Sequence, residues 1–286
     1  MEFASAGLFN VACFLAITTV LVTVHELGHY LMARLTGLRV EVFSIGLGPE
    51  IVGRTDRGGT RWKLGLVPLG GYIRMFGEQS GPRHAGIPAA EANGAPGPLL
   101  FEQPSLGRRA AVAAAGPAAN FALSFVVLAV LLLVVGRPSS VEASLPEAAL
   151  WLIWRAIELT WGLTAETLQA LWQLATGVNA GQDFIGPIRF AQVSGEVAHQ
   201  GFLMSLGLVA IISANLAVMN LLPIPSLDGG HLLFYLAEAL RGRPVAAQAQ
   251  TFATQLGLGF VGGLMVFATF KDIADLGVNT LYRLVG

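Results

Sequence analysis

The sequence predicts an α-helical integral membrane protein with about four transmembrane helices, a small membrane-associated β-sheet in its first cytoplasmic loop, and an amphipathic helix at the outer interface. Three observations predict this. The chain is 54% hydrophobic and 12% charged, with a mean hydropathy of +0.64, where a soluble domain carries roughly 25% charged residues. Four stretches are apolar over the roughly 20 residues that a spanning helix needs, and the first connecting loop alternates apolar and polar residues in period two. The net charge of −1 offers no overall basic surface for phosphate backbones, so nucleic acid is not an expected partner. The single cysteine, Cys13, allows no intrachain disulfide and no cysteine metal cluster. Any metal must be held by histidine and carboxylate.

The spans are expected at about 8–32, 110–135, 202–222 and 251–270, and together they make residues 1–286 one polytopic domain. The first sits where a signal peptide would. It lacks a basic flank and a small-residue cleavage site, and it carries His25, Glu26 and His29 near its end, so it is expected to be retained. Ten Lys and Arg lie between Arg34 and Arg109, and Arg241 and Arg243 follow the third span. Only Arg137, Arg155 and Arg189 lie between the second and third spans. Cytoplasmic loops collect basic residues, so both termini are expected outside and the first loop inside.

That loop, about 38–105, holds Val40 to Ile45 and Arg61 to Val67, two alternating runs separated by Asp56-Arg57-Gly58-Gly59; they predict a small antiparallel sheet. Its apolar continuation, Pro68 to Ile73, is placed to dip towards the membrane beside the first helix. Residues 79–98 lose periodicity and gain Gly, Pro and Ala, which predicts a linker. On a helical wheel, residues 146–176 put Glu147, Arg155, Glu158, Glu166, Gln169 and Gln173 on one arc and Leu150, Ile153, Ile157, Leu163, Leu168, Leu171 and Leu174 opposite. Trp154, Trp161 and Trp172 line a border between them. The favoured reading is a helix on the outer membrane surface; the other is a fifth helix packed in the bundle. Gly259 and Gly263 form a small-residue face on the last span, assigned to internal packing rather than dimerisation.

The chemistry concentrates in His25-Glu26-Leu27-Gly28-His29. Four residues apart on a helix, the two imidazoles reach one cation, and the intervening glutamate flanks it. This is the spacing of zinc hydrolases, in which the carboxylate takes a proton from water. Three ionisable groups in an apolar span are costly, so a structural role is the weaker reading. The third ligand is sought at another helix break, and Asn220 to His231 supplies one: Pro223 and Pro225 end a helix, and Asp228 follows on an irregular segment with two flexible glycines behind it. Asp228 is the chosen ligand and His231 its competitor, otherwise a supporting hydrogen bonder. Asn220 is either an oxyanion or substrate donor or an interhelical packing group. His84 and His199 are read as surface residues. Gly116-Pro117-Ala118-Ala119-Asn120 suits close packing and an interhelical hydrogen bond.

HELGH at 25–29, FSIGLGP at 43–49, PLGGYIRM at 68–75, AAGPAANF at 114–121 and NLLPIPSLDGGHLLF at 220–234 together resemble the site-2 protease family of intramembrane zinc metalloproteases, most closely the bacterial regulator of sigma E protease branch. The resemblance implies one zinc per chain on His25, His29 and Asp228, Glu26 as catalytic base, Asn220 as a substrate-binding or transition-state residue, and Gly70, Gly71 and Tyr72 at a sheet edge that receives an unwound substrate strand. It also implies a multi-pass protein of the bacterial inner membrane, with the site towards the cytoplasm. The implied partners are single-span membrane proteins, cleaved in or near their transmembrane segments, and the lipid bilayer. That branch carries one or two PDZ domains between the second and third spans, each of roughly a hundred residues. Residues 136–201 leave no room for one, so the PDZ region is either naturally absent or excised near Arg137 to Val141, and PDZ-mediated partners are not expected. The rivals from other classes are a metal transporter using the same ligands in transit and a catalytically silent adaptor.

Overall fold

A computed structural model describes residues 2–75, 104–136, 145–177 and 185–285. The linker expected over 79–98, with His84, and the segment from Arg137 to Val141 lie outside them. The elements are α1 (Glu2–Leu35), β1 (Val40–Thr55), β2 (Arg61–Met75), α2 (Leu106–Val135), α3 (Leu145–Thr176), α4 (Pro187–Gln200), α5 (Phe202–Leu221), α6 (Asp228–Arg241) and α7 (Ala247–Val285). Among the described residues four helical stretches are long and apolar enough to span: Ala6–Leu35, Leu106–Val135, Phe202–Leu221 and Ala247–Leu276. These are the four expected. Three of them run to 30 residues, about 45 Å, so they overrun a hydrocarbon layer of about 30 Å. The chain forms two compact units, one of residues 18–118 and 221–256, the other of 1–17, 119–220 and 257–286.

In the first unit the two strands pair antiparallel with several register shifts. The first half of β1 is flanked on both sides by β2: Phe43 pairs with Ile73 and with Trp62, and Ser44 pairs with Tyr72 and with Lys63. The second half of β1 pairs back from Glu50–Gly65 to Thr55–Arg61. This doubling requires backbones to cross closely at Gly46, whose φ is +84° and whose missing side chain would meet the Gly65 carbonyl oxygen at 2.9 Å. A Cβ there would be both strained and obstructed.

The sheet runs along α1. Near its hairpin tip, a Cβ on Gly58 would lie 2.9 Å from a guanidinium nitrogen of Arg34, while at the other end the Pro68 carbonyl accepts a hydrogen bond from Thr19 Oγ1. Thr19 and Arg34 are fifteen residues apart on α1, about 22 Å, so the Pro68 to Ile73 run does descend beside the first span. Tyr30, Phe43 and Trp62 stack edge-on or tilted with centroids 4.5–5.6 Å apart, and fasten α1 to the sheet. Ala33, Val40 and Val112 form a buried cluster there, covered by Tyr30, Ile73 and Met75. Leu47, Ile51, Val52 and Leu66 stay exposed on the strands, which suits an apolar surround.

In the second unit α3 spans the segment expected to be helical, but a different stripe carries its packing. Ala148, Ala156 and Thr164 are buried, whereas Trp154, Trp161 and Trp172 are about 70% exposed, as are Leu150, Ile153 and Ile157 in lesser or similar degree. Thr167 Oγ1 donates to Asn215 Oδ1 of α5 at 2.6 Å. Small residues let backbones approach and are the fully buried ones, while Leu163, Leu171 and Leu174 of the apolar arc are half-buried. Ser213 Oγ of α5 donates to the Asn120 carbonyl of α2 at 2.8 Å. The Gly259–Gly263 face departs from expectation: nothing lies within 4 Å of where either Cβ would be, and the face is open rather than packed internally. Helix α4, which the sequence reading did not separate out, begins at Pro187. Its first turn is held by Asp272 of α7, which accepts from the Gly186 and Arg189 amides at 3.1 and 2.9 Å.

Candidate metal centre

Helix α1 brings His25 and His29 one turn apart onto the face that meets α2. Their rings pack edge-on at 4.7 Å, and their Nε2 atoms lie 3.1 Å apart. His29 Nδ1 lies 2.7 Å from the carbonyl oxygen of Val112. A carbonyl only accepts, so Nδ1 carries the proton and a neutral His29 turns its lone pair outward from Nε2.

Two prolines end the helical run after α5. The Ile224 amide then bonds the Leu222 carbonyl and the Leu227 amide bonds Ile224, which makes a tight reversal into α6. Asp228 is the first residue of α6, not a member of the irregular segment. Gly229 and Gly230 are not flexible joints behind it. A Cβ on Gly229 would strike the Leu221 and Leu222 carbonyl oxygens, and one on Gly230 the Ile224 carbonyl. Both are required by backbone contact.

The reversal delivers the Asp228 carboxylate to the histidines. Oδ2 lies 3.0 Å from His25 Nε2 and 3.3 Å from His29 Nε2, and it is buried without a satisfying hydrogen-bond donor. Lone pairs thus converge where no backbone N–H answers them, an arrangement that calls for a cation among them. The three edges, 3.0, 3.1 and 3.3 Å, fit the donor-to-donor spacing of about 3.3 Å for a tetrahedral zinc with bonds near 2.0 Å. The residues present fit zinc. Among the described residues these three form the one group of His, Cys, Asp or Glu whose ligand atoms lie within 4.8 Å of one another.

The competing ligand does not join them. His231 lies on α6 with its ring 6.3 Å from those of Phe234 and Tyr235. Glu26 faces the sheet: a Cβ on Gly71 would lie 3.0 Å from Glu26 Cγ, 3.1 Å from Val22 Cγ1 and 2.8 Å from the Ser44 carbonyl oxygen. The strand carrying Gly70, Gly71 and Tyr72 therefore passes in contact with the glutamate, and only a glycine permits it. Gly70 rests on Leu47, and Lys63 Nζ sits 5.0 Å from the Tyr72 ring centroid. Asn220, near the end of α5, donates through Nδ2 to the Leu216 carbonyl at 3.0 Å. Gly116 on α2 contributes by its missing side chain: a Cβ there would collide with His29 Nε2 and stand 2.8 Å from His25 Cε1. The sequence marked its segment for close packing beside the helix that carries the two histidines, and Gly116 sits there. Val112 acts through its carbonyl, which no side-chain pattern announces.

The family model described as Peptidase family M50 matches residues 13–264. The chain belongs to peptidase family M50. Relatives that carry the name of zinc metalloprotease include one from Rhizobium meliloti (strain 1021), 32% identical over 364 residues, spanning 93% of this chain and 96% of its own length. Another, from Agrobacterium fabrum, is 32% identical over 367 residues and spans 92% and 95%. One from Clostridium acetobutylicum is 25% identical over 348 residues, at 93% and 97%. This M50 peptidase is a site-2 type zinc metallopeptidase and, with its four apolar helices, a multi-pass membrane protein. The alignment with the Rhizobium relative runs 364 positions against 286 residues here, so at least 78 positions are filled by the relative alone.

Proposed function

We propose that this M50 peptidase hydrolyses a peptide bond within or near the transmembrane segment of single-span membrane proteins, with His25, His29 and Asp228 as zinc ligands and Glu26 as the general base. The observation that carries the reading is the convergence of His25 Nε2, His29 Nε2 and Asp228 Oδ2 at 3.0–3.3 Å, with Glu26 between that cluster's helix and the Gly71 strand.

An intact helix screens its carbonyl carbons inside the hydrogen-bonded backbone, so a substrate must unwind before attack. The Gly70-Gly71-Tyr72 strand offers an edge to which the unwound segment adds by main-chain hydrogen bonds, which holds the scissile carbonyl beside Glu26. Zinc, when bound, polarises that carbonyl and acidifies the attacking water. Glu26 takes the proton from water and passes it to the leaving amine nitrogen, so the carboxylate ends as it began. Asn220 has a second amide N–H beyond the one given to Leu216, and the family resemblance assigns it to the substrate backbone. The basic residues of the first loop support a bacterial inner-membrane topology with both termini outside and the site towards the cytoplasm.

The test is elemental zinc analysis together with cleavage of a single-span test substrate in detergent, for the parent, Glu26→Gln and Asp228→Ala. The expected result is one zinc per chain in the parent and in Glu26→Gln, cleavage lost by at least about 10³-fold in both variants, and zinc lost in Asp228→Ala. Parental cleavage by Glu26→Gln would remove it as the base.

A further inference from the structure

Three contacts of the metal centre and its surroundings lie on one face of α2. Arg109, Val112 and Gly116 stand at i, i+3 and i+7, inside an arc of about 60° on a helix. Val112 fixes His29 by its carbonyl, and Gly116 lets α1 approach. Arg109 contacts neither histidine. Its Nη2 donates to Glu238 Oε1, its guanidinium carbon lies 5.1 Å from the Tyr235 ring centroid, and its Nε donates to the Pro104 carbonyl at 3.2 Å. The ion pair is mostly enclosed, with side-chain exposures of 22% for Arg109 and 17% for Glu238.

Both Tyr235 and Glu238 lie on α6, the helix whose first residue is Asp228. A helix of 14 residues moves as a rod, so an anchor at its far end sets the position and roll of its first turn. Asp228 opens α6 without a side-chain cap on Leu227, the residue before it, and the backbone crossings at Gly229 and Gly230 hold the first turn close to the chain that precedes it, so the far end of α6 needs an anchor of its own. We infer that Arg109 is a positioning residue for the third metal ligand: through Glu238 and Tyr235 it locks α6 in the roll that points Asp228 at His25 and His29. One helix face thereby aligns ligands from two other helices. Arginine suits this task because its planar fork both pairs with a carboxylate and stacks on an aromatic ring. The inference rests on the assignment of Asp228 as a zinc ligand.

The experiment compares the full chain in detergent as parent, Arg109→Gln, Glu238→Gln, the exchanged pair Arg109→Glu with Glu238→Arg, and Asp228→Ala. Zinc retention is titrated against a competing chelator, and thermal unfolding is followed with and without zinc. Supporting partners of metal ligands cost 10- to 100-fold in metal affinity when removed, so Arg109→Gln and Glu238→Gln are expected to weaken zinc about 10-fold or more while the zinc-free proteins unfold near the parental temperature. The exchanged pair is expected to recover part of the loss, with Tyr235 stacking retained by the arginine now on α6. If Arg109→Gln and Glu238→Gln hold zinc as the parent does while Asp228→Ala loses it, the positioning role is overturned and the ligand assignment stands. If Asp228→Ala also holds zinc like the parent, the ligand assignment itself fails and the inference falls with it. Equal destabilisation of zinc-free and zinc-loaded protein, without a change in retention, makes the clamp merely structural and overturns the inference.

Discussion

Two aspartates open helices in this molecule, and they do so for opposite ends. Asp272 is 2% exposed on α7 and spends its carboxylate on backbone: Oδ1 accepts from the Gly186 amide and Oδ2 from the Arg189 amide, at the N-terminus of α4. A carboxylate there satisfies orphan N–H groups and meets the positive end of the helix dipole. Asp228 is itself the first residue of α6, and its Oδ2 faces two imidazole nitrogens and no backbone donor. The same residue type becomes a structural cap where amides converge on it, and a candidate metal ligand where other lone pairs do. The surroundings, not the side chain, decide.

The sharpest way to break this comparison is to remove each carboxylate. Asp228→Ala is expected to abolish zinc binding and cleavage while changing the zinc-free unfolding temperature little, whereas Asp272→Ala should keep its zinc and lose about 2 kcal/mol of stability through one buried and one part-buried amide left unsatisfied. Thermal unfolding in detergent, run beside zinc analysis, separates the two; loss of zinc from Asp272→Ala would erase the distinction. Asp272→Asn, which keeps an acceptor, should fall between Ala and the parent.

A second, smaller contrast concerns glycines on spanning helices. Gly116→Ala puts a methyl group against His29 Nε2, and Gly259→Ala puts one into open space. The first is expected to lower zinc affinity at least about 10-fold by displacing a ligand. The second should stay within about 0.5 kcal/mol of the parent with unchanged zinc titration. Equal behaviour would mean that α2 does not approach the histidines as closely as the structure has it.

The smallest expected effect lies at the hairpin tip. Asp56 accepts from Trp62 Nε1 and the Thr60 amide, both at 3.0 Å, and these bonds hold its carboxyl below the ordinary carboxylate value. A depressed acid stabilises the fold above its unfolded value and loses that contribution as pH falls through the folded one. The Trp62 indole N–H resonance should therefore titrate with a midpoint below 3.8, and Asp56→Asn should flatten the transition. A midpoint at or above that value would show that the turn is not organised by the carboxylate.

Much of this was legible in the chain itself. Spans follow from apolar length, because a bilayer demands about 20 residues without charge. HELGH pointed to two candidate ligands and a candidate base, because helical periodicity puts residues four apart on one side. The Pro-rich break pointed to Asp228, because prolines cannot continue a helix. These are properties of neighbours in sequence, and local geometry fixes them.

Other features required the folded chain. His231 and Asp228 share a sequence segment, and only the folded chain shows that Asp228 alone comes within ligand distance of His25 and His29. The wheel of α3 separated a polar from an apolar arc, yet it did not mark Ala148, Ala156 and Thr164 as the buried positions, because small residues are buried where backbones approach closely and that depends on which helix arrives. The open Gly259 face and the filled Gly116 face look alike in sequence, and differ only in whether another element arrives. Arg109 counted merely as one positive charge among ten in the first loop until its partners on α6 were in view. The sequence by itself determined which residues are the candidates to hold a metal and move a proton. Tertiary structure decided which of them meet, because the convergence of His25, His29 and Asp228 depends on contacts between elements some two hundred residues apart, and no local propensity encodes those.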